Sequence, residues 1–246
     1  MKVIAIIPAR YASTRLPGKP LKQIQGIPMI EHVYKNVTRS QLIDEVWVAT
    51  DDERISLVVS SFGGRCIMTS SEHQTGTDRL AEAIKSLAAD LVINVQGDEP
   101  LIQGTMLDDL VRPFLENPAL EMATFKSKIE NDEDVLNPNI VKVITNDSGN
   151  AIYFSRSPIP YNRDNRSVNY YKHIGVYAYK TSFLKKYVNM PQSPLELAES
   201  LEQLRALENG TIIRVIETDF ELISVDTPED LQKVSQYLDL AKEVGM

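Results

Sequence analysis

The chain has few of the residues from which several common kinds of site are built. Its 246 residues include one cysteine, Cys66, and three histidines, so a disulfide within the chain is impossible and a zinc site has few candidate ligands. No two of its eleven glycines have the G-x-G spacing, which disfavours a standard dinucleotide-binding domain. Gly18-Lys19 is followed by Pro20, so there is no Walker A motif, and the G-x-S-x-G motif of many hydrolases is also absent.

Long apolar runs and an excess of basic residues are lacking too. No run of 18 apolar residues occurs, and Met1-Lys2-Val3 leads into a strand pattern without the layout of a signal peptide. The net charge of −8 argues against a surface for duplex DNA, and 43% hydrophobic with 24% charged residues is typical of a soluble globular enzyme. With its single cysteine, the chain is expected to be cytoplasmic, without nucleic-acid or membrane partners.

Positive charge is concentrated at the start of the chain. Residues 1–30 contain two arginines, three lysines and no acidic residue, so they carry +5, whereas the whole chain carries −8. Within this region the segment 6–22, IIPARYASTRLPGKPLK, follows an apolar run and is stiffened by three prolines and Gly18. Because α/β sheets bind ligands at the carboxyl ends of their strands, this segment predicts a loop that binds a polyanion. A solvated basic loop is the alternative.

Apolar runs alternate with amphipathic segments in the first half of the chain. Such alternation is typical of a parallel sheet with helices on both faces, whose strands are apolar throughout. Strands are predicted over 2–8, 45–50, 65–68 and 91–95, and helices over 28–40, 52–61, 77–88 and 103–116.

The pattern changes after residue 119, where strands follow one another closely and a proline-containing polar excursion interrupts them. This arrangement predicts a smaller antiparallel region in the second half of an α/β fold. Strands are predicted over 120–128, 139–146, 151–155, 171–179 and 211–217, and helices over 195–208 and 227–243.

Two acidic residues follow predicted β segments. Asp98 comes after the strand 91–95, and Asp226 comes after a β segment at 222–225. Carboxylates at strand ends are natural ligands of Mg²⁺, which prefers one or two carboxylates together with phosphate oxygens. Asp98 could instead cap the helix near 103, and Glu99 is the weaker ligand candidate. Thr227 with Asp230 resembles a capping box and is assigned to structure.

Other polar segments offer hydrogen-bond donors. Gln74 and Arg79 suit a base edge or a phosphate, although Arg79 could be a surface residue in the first turn of a helix. Arg156 could clamp a carboxylate with two hydrogen bonds, whereas a strand histidine such as His173 is more often structural. The leucines of 201–208 have the spacing of one apolar face of a helix. Glu202 and Gln203 lie off that face, which indicates an exposed helix surface.

Seven segments, in order, resemble the 3-deoxy-manno-octulosonate (Kdo) cytidylyltransferase family. Each segment is moderately specific, and seven in the family's order are very specific. The resemblance covers essentially the whole chain, through PARYASTRLPGKPL, HQTGTDRL, NVQGDEPLI, YFSRSPIP, KHIGVYAY, LEQLRALE and VDTPEDL.

The resemblance implies a single domain with a mostly parallel Rossmann-like sheet of the nucleotide-diphospho-sugar transferase type and a smaller antiparallel β excursion. It implies that residues 1–119 bind CTP, and that 120–246 bind the sugar and form a homodimer through the excursion at 150–190. The implied reaction converts CTP and Kdo to CMP-Kdo and pyrophosphate for lipopolysaccharide biosynthesis, with Mg²⁺ on Asp98 and Asp226.

The same resemblance implies roles for individual residues. Catalytic roles fall to Lys19, Arg10, Asp98 and Asp226. Substrate-binding roles fall to Ser13, Arg15, Gln74, Arg79, Gln96, Arg156, His173, Tyr177, Glu202 and Gln203.

Three alternatives stay open at this point. The same reaction could use an 8-amino octulosonate or a nonulosonate. Hexose-1-phosphate nucleotidyltransferases fit less well, because the Gly-Gly pair that precedes their arginine is missing. A silent nucleotide-sugar-binding module is disfavoured, because it would have no need to retain Lys19, Asp98 and Asp226 together.

Overall fold

The chain folds into two compact units. The first comprises residues 1–108 and the segment from 221 onward, and the second comprises 109–220. Asp226 therefore lies in the same unit as Asp98, although the two residues are 128 positions apart in the chain. A computed structural model describes residues 1–12, 16–73, 75–164, 166–220 and 222–244.

Strands and helices follow one another along the chain. In chain order the first ten are β1 (Val3–Ala9), β2 (Gln23–Ile24), β3 (Ile27–Pro28), α1 (Met29–Val37), β4 (Glu45–Thr50), α2 (Glu53–Ser61), β5 (Cys66–Met68), α3 (Gly76–Ala83), β6 (Leu91–Asn94) and α4 (Gly104–Glu116). The chain continues with β7 (Met122–Lys128), α5 (Asp132–Leu136), β8 (Lys142–Thr145), β9 (Ala151–Ser155), β10 (Tyr171–Lys180), α6 (Thr181–Tyr187), α7 (Pro194–Glu199), α8 (Gln203–Glu208), β11 (Ile213–Glu217) and α9 (Pro228–Val244).

The first unit contains the predicted parallel sheet. Its strands lie in the order β6, β1, β4, β5, and each neighbouring pair is parallel. In β1 the side chains of Ile4, Ala5, Ile6 and Ile7 are all fully buried, as expected for a strand covered on both faces. The sheet therefore brings the loops after β1 and β6 to the same edge.

Glycine allows these two loops to approach each other. A Cβ atom added to Gly97, in the loop after β6, would lie 2.9 Å from the carbonyl oxygen of Pro8 in β1. Since real Cβ atoms do not come so close to a backbone oxygen, only glycine permits this packing. Asp98 is thereby held beside the end of β1.

The C-terminal segment packs against the loop that follows β1. Val225 and Val234 are buried in one apolar cluster with Leu16 and Met29. The predicted cap of α9 is confirmed, since the Thr227 amide donates to the Asp230 carboxylate at 3.0 Å. This packing returns Asp226 to the first unit.

In the second unit, β7 pairs with β11 in parallel and with β10 in antiparallel fashion. Strand β8 is antiparallel to both β9 and β10. The fold class predicted from the sequence, a mostly parallel α/β sheet with a smaller antiparallel part, is confirmed. No helix in the described ranges is long and apolar enough to cross a membrane.

Some predicted elements were wrong. The single helix expected over 195–208 is two helices, α7 and α8, because Ser200 adopts a left-handed φ of 52° that ends α7. The β segment expected at 222–225 is not a strand, although the Val225 amide donates to the Asp98 carbonyl at 2.9 Å. The hairpin β2–β3 and the short helices α5 and α6 were not predicted.

The hydroxyl of Thr124 in β7 contacts the irregular part of β10. The register between the strands shifts between Ile174 and Tyr177, and Thr124 Oγ1 lies 3.0 Å from the Ile174 carbonyl oxygen and 2.9 Å from that of Val176. The same hydroxyl lies 3.0 Å from His173 Nε2. Because carbonyls only accept, the hydroxyl hydrogen points to a carbonyl and its oxygen accepts from Nε2–H, leaving His173 Nδ1 without a proton.

The neutral form of His173 is favoured by its surroundings. Its ring packs edge-on against Phe154 with the ring centroids 5.0 Å apart, and it also contacts Tyr177. Removal of water around the imidazole lowers the pKa of His173 from 6.5 to about 3. Between these values the unfolded chain takes up a proton that the folded chain does not, so this group's stabilising contribution is complete above pH 6.5 and decreases as the pH falls.

We predict that the wild type loses stability relative to His173→Gln as the pH falls from about 7 toward about 4. Urea unfolding of both proteins at several pH values measures this difference, and the comparison cancels the titration of carboxylates common to both. A difference between the two proteins that stays constant over this range would contradict the prediction.

Candidate active site

The first unit contains a polar cavity of 430 Å³ at the carboxyl edge of its sheet. It is lined by the end of β1, by the loop after β6 and by the start of α3. Lys19 and Pro20, and Asp226 shortly before α9, also contribute to the lining. The lining residues used below are Arg10, Lys19, His73, Arg79, Gln96, Asp98 and Asp226.

Lys19 joins the two predicted metal-binding carboxylates. Its Nζ lies 2.6 Å from Asp98 Oδ2 and 3.1 Å from Asp226 Oδ1. Burial alone would lower the pKa of Lys19, but attraction to Asp98 and Asp226 outweighs burial and the pKa is raised. The convergence of these two carboxylates, expected from the sequence, is thus found, with the Lys19 ammonium between them.

Backbone geometry explains the position of Lys19. It begins a short 3-10 helix, Lys19–Leu21, after Gly18, whose φ of 67° is in the left-handed region. A Cβ added to Gly18 would lie 3.0 Å from the Tyr11 ring, and the Gly18 amide donates to the Tyr11 carbonyl at 3.0 Å. The guanidinium of Arg54 covers the Tyr11 ring at 3.3 Å from its centroid, so the base of the cationic loop is packed and hydrogen-bonded.

Glu99 is buried next to the charged group formed by Lys19, Asp98 and Asp226. Its Oε1 accepts a short hydrogen bond from the Ser224 hydroxyl, and its Oε2 has no partner within the described part of the chain. Burial, together with repulsion from Asp98, raises the pKa of Glu99 to about 7, against the opposing effects of the Ser224 hydrogen bond and of Lys19. Burying the Glu99 carboxyl in this way is therefore energetically unfavourable.

Arg79 is buried rather than on the surface, so the alternative of an exposed first-turn residue is wrong. Its guanidinium donates to Thr69 Oγ1 at 2.5 Å and to Asp51 Oδ2 at 3.2 Å. The surface interpretation failed because α3 begins with the cap at Thr75 and turns Arg79 toward the cavity. Held in this way, the guanidinium lines the cavity in a fixed orientation.

His73 lies at the same side of the cavity and pairs with Glu82 through a short contact between Nε2 and Oε2. The Glu82 carboxylate also accepts from the Ser70 amide at 2.8 Å. Hydrogen bonds from Ser70 and His73 lower the pKa of Glu82 and keep it ionised. The segment before α3 is thus held by both its backbone and its side chains.

The remaining candidates of the first unit have different outcomes. Arg10 is exposed and lines the cavity, and Gln96 lines it from the loop after β6. Ser13, Arg15 and Gln74 lie outside the described residues.

In the second unit, aromatic rings link His173 to α6 and α8. Tyr177 stacks on Tyr179, and Tyr179 stacks on Tyr187. The Tyr187 hydroxyl donates to the Glu202 carbonyl at 2.7 Å. Burial and the negative charge of Glu202 raise the pKa of Tyr177, so its hydroxyl keeps its proton.

Gln203 is buried in α8, where the sequence pattern had indicated a surface. Its side chain is 5% exposed, and its Nε2 has no hydrogen-bond partner within the described residues. The apolar stripe was misjudged because Leu207 is only partly buried while Arg205 is buried by its ion pair with Glu196. A buried amide without a hydrogen-bond partner is energetically unfavourable unless a ligand or a water molecule pairs with it.

Arg156 has structural partners for its guanidinium. Its Nε donates to the Glu199 carbonyl at 2.7 Å and its Nη1 to the Pro138 carbonyl at 3.0 Å. Its own amide donates to the Glu199 carboxylate at 2.9 Å. A two-pronged clamp on a substrate carboxylate would require some of these bonds to break, so that role stays a prediction.

Residues that support the site were not identified from the sequence. Thr69 and Asp51 hold Arg79, and Ser224 holds Glu99. Ser224 lies two positions before Asp226 and Glu99 directly follows Asp98, and this closeness could have identified them as supporting residues. The contacts themselves join distant parts of the chain, and no local pattern encodes them.

Comparisons with known proteins place this chain among well-defined relatives. The family model described as cytidylyltransferase matches residues 4–219. A 3-deoxy-manno-octulosonate cytidylyltransferase of Geobacter sulfurreducens is 53% identical, over 97% of this chain and 100% of its own length. The protein of that name from Fusobacterium nucleatum is 54% identical, over 97% of each chain.

Solved structures extend the likeness to three dimensions. A CMP:2-keto-3-deoxy-manno-octonic acid synthetase complexed with CTP has a TM-score of 0.94 and 45% identity, over 98% of this chain and 99% of that one. A 4-diphosphocytidyl-2C-methyl-D-erythritol synthase from Anaerococcus prevotii has a TM-score of 0.64 at 18% identity, over 97% and 99% of the chains, and shows the fold alone. With near-complete coverage by relatives more than half identical, this chain belongs to the cytidylyltransferase family and, within it, to the 3-deoxy-manno-octulosonate cytidylyltransferases.

Proposed function

We propose that this enzyme transfers the cytidylyl group of CTP to 3-deoxy-D-manno-octulosonate. The anomeric hydroxyl of the sugar acid attacks the α-phosphorus, the bond from this phosphorus to the bridging oxygen breaks, and CMP-Kdo and pyrophosphate are released. The observation that carries the proposal is the meeting of Lys19, Asp98 and Asp226 in a polar cavity of a chain with these relatives.

The chief obstacle to this reaction is repulsion between a triphosphate and an anionic sugar acid. Arg10 and Lys19 lie along the cavity, and Arg79 is held beside it by Thr69 and Asp51. We assign Arg10 and Lys19, with Arg15, to the phosphates and Arg79 with Gln74 and Gln96 to the nucleotide. Such fixed donors lower the barrier by stabilising charge where it develops, without a protein nucleophile.

The residues present fit a divalent cation. Asp98 and Asp226 already converge on one positive charge, and they supply only oxygen donors, which Mg²⁺ prefers. No group of three or more metal-ligating side chains occurs in the described ranges, as suits an ion that completes its shell with phosphate oxygens and water. When bound, Mg²⁺ would offset charge on the α-phosphate and lower the pKa of a hydroxyl near it.

We assign the recognition of the sugar acid to the second unit. His173 Nδ1 is an acceptor, the protonated Tyr177 hydroxyl can donate, and Gln203 Nε2 is an unpaired donor. Together with Glu202, these groups suit a ligand with many hydroxyls. We further propose that the enzyme acts as a cytoplasmic homodimer and that its product serves lipopolysaccharide biosynthesis.

The function is tested by measuring pyrophosphate release with Mg²⁺, CTP and a panel of sugar acids that includes Kdo, its 8-amino analogue and a nonulosonate. Kdo should give the highest kcat/KM. A higher value for another acid would change the substrate assignment and leave the reaction class intact.

Replacing Asp98 should prevent turnover without unfolding the protein. Since loss of a metal ligand removes several kcal/mol of transition-state stabilisation, Asp98→Asn should lower kcat by roughly 10²-fold or more. EDTA should silence the wild type. Asp109→Asn, on an exposed helix position, is the control. Wild-type turnover by Asp98→Asn at limiting Mg²⁺ would remove Asp98 from the metal site.

Replacing Lys19 should make the first unit depend on added metal. In Lys19→Met the two carboxylates face each other without a cation. We therefore expect the free energy of unfolding in EDTA to fall by about 1–2 kcal/mol, less than when one partner of a fully buried ion pair is removed. Mg²⁺ should raise the melting temperature of this variant more than that of the wild type. Lys35→Met, which removes the surface pair with Glu31, should respond to Mg²⁺ as the wild type does. Equal responses in all three proteins would argue against a cation site at these carboxylates.

Replacing Gln203 should weaken sugar binding without lowering the stability of the protein. Because a buried unpaired amide costs about 1–3 kcal/mol, Gln203→Leu should fold with unchanged or higher stability. The KM for Kdo should rise roughly tenfold, as for loss of one hydrogen bond, while CTP affinity stays unchanged. Gln232→Leu, at an exposed position of α9, is the control. An unchanged KM for Kdo would place Gln203 outside the sugar site.

A further inference from the structure

Asp98 and Asp226 are positioned by unequal means. Asp98 follows β6, whose pairing with β1 holds it in the sheet. Asp226 belongs to a segment that forms no strand in the described residues 222–227, so no ladder of backbone hydrogen bonds sets its place. Its relation to Asp98 depends on a few individual contacts.

Two of these contacts join the segment directly to the loop that carries Asp98. The Val225 amide donates to the Asp98 carbonyl at 2.9 Å, and the Ser224 hydroxyl donates to Glu99 Oε1. One contact thus involves Asp98 itself and the other involves its neighbour. Together with the burial of Val225, they determine how the segment before α9 lies on the loop after β6.

The Glu99–Ser224 contact is made at an energetic cost. Glu99 is 8% exposed, its second oxygen has no partner within the described ranges, and three charged side chains lie nearby. Burying a carboxyl in this way is unfavourable, and an apolar or amide side chain would fill the position at lower cost. The reaction as derived above gives Glu99 no contact with a substrate.

We propose that the Glu99–Ser224 hydrogen bond is a positioning device that sets the distance between the Asp98 and Asp226 carboxylates and so the affinity of the site for a divalent cation. Magnesium demands near-ideal octahedral geometry, so a small displacement of one carboxylate weakens binding. This inference rests on the proposed metal site and adds residues that do not touch the ion.

The test measures metal affinity separately from turnover. Mn²⁺ binding to the full chain at saturating CTP is followed by electron paramagnetic resonance, and Mg²⁺ titration of pyrophosphate release gives the half-saturating concentration. Ser224→Ala and Glu99→Leu should each weaken Mn²⁺ binding roughly tenfold, as expected for loss of one positioning hydrogen bond. Saturating Mg²⁺ should restore most of kcat.

Conservative variants identify the cause. Glu99→Gln keeps an acceptor for Ser224, and Ser224→Thr keeps the hydroxyl, so both should bind Mn²⁺ within about threefold of the wild type. The double variant Ser224→Ala/Glu99→Leu should be no worse than either single variant, because both remove the same contact. Ser61→Ala, at an exposed position of α2, controls for the loss of a serine hydroxyl.

Three results would overturn the proposal. If Ser224→Ala and Glu99→Leu lower the melting temperature but leave Mn²⁺ affinity unchanged, the pair is merely structural. If Glu99→Gln is as damaging as Glu99→Leu, the charge of Glu99 matters rather than the contact. If wild type does not bind Mn²⁺ with CTP, or Asp98→Asn binds it equally well, the metal site itself fails and this inference with it.

Discussion

Charge compensation at one point supports the whole candidate site. Asp98 and Asp226 come from distant parts of the chain, and Lys19 Nζ lies within 3.1 Å of both carboxylates. Without a cation between them, two such carboxylates would repel each other. The conformation of the cationic loop, the close contact at Gly97 and the docking of α9 all serve to bring these three groups together.

Each unit contains a buried polar group that reduces stability. In the first unit Glu99 is buried with a pKa raised to about 7, and in the second unit Gln203 has an amide nitrogen without a partner among the described residues. Such groups are costly in a protein interior, and they concentrate where a ligand or a neighbouring ion needs them. Arg156 shows the opposite case, because its guanidinium has backbone partners that stabilise the second unit.

Much of the fold followed from local pattern. The apolar strand of 45–50 was predicted with its observed bounds. The predicted bounds of β1 differ from the observed ones by one residue at each end, and those of β6 by one residue at its carboxyl end. The single helix expected over 195–208 was wrong, because the left-handed residue Ser200 interrupts a stretch whose spacing is otherwise helical. The burial of Gln203 was missed for a related reason, since the ion pair of Arg205 with Glu196 places a charged residue inside.

By itself, the sequence determined the α/β class, the family and the candidate residues. Strands buried on both faces are apolar throughout, and charged loops at their ends are visible as short segments. Only the tertiary structure decided that Lys19 lies between the two carboxylates, that Arg79 is buried against Asp51, and that Ser224 binds Glu99. These contacts join residues that are 28 to 207 positions apart, and their energies depend on burial and distance, which periodicity along the chain does not encode.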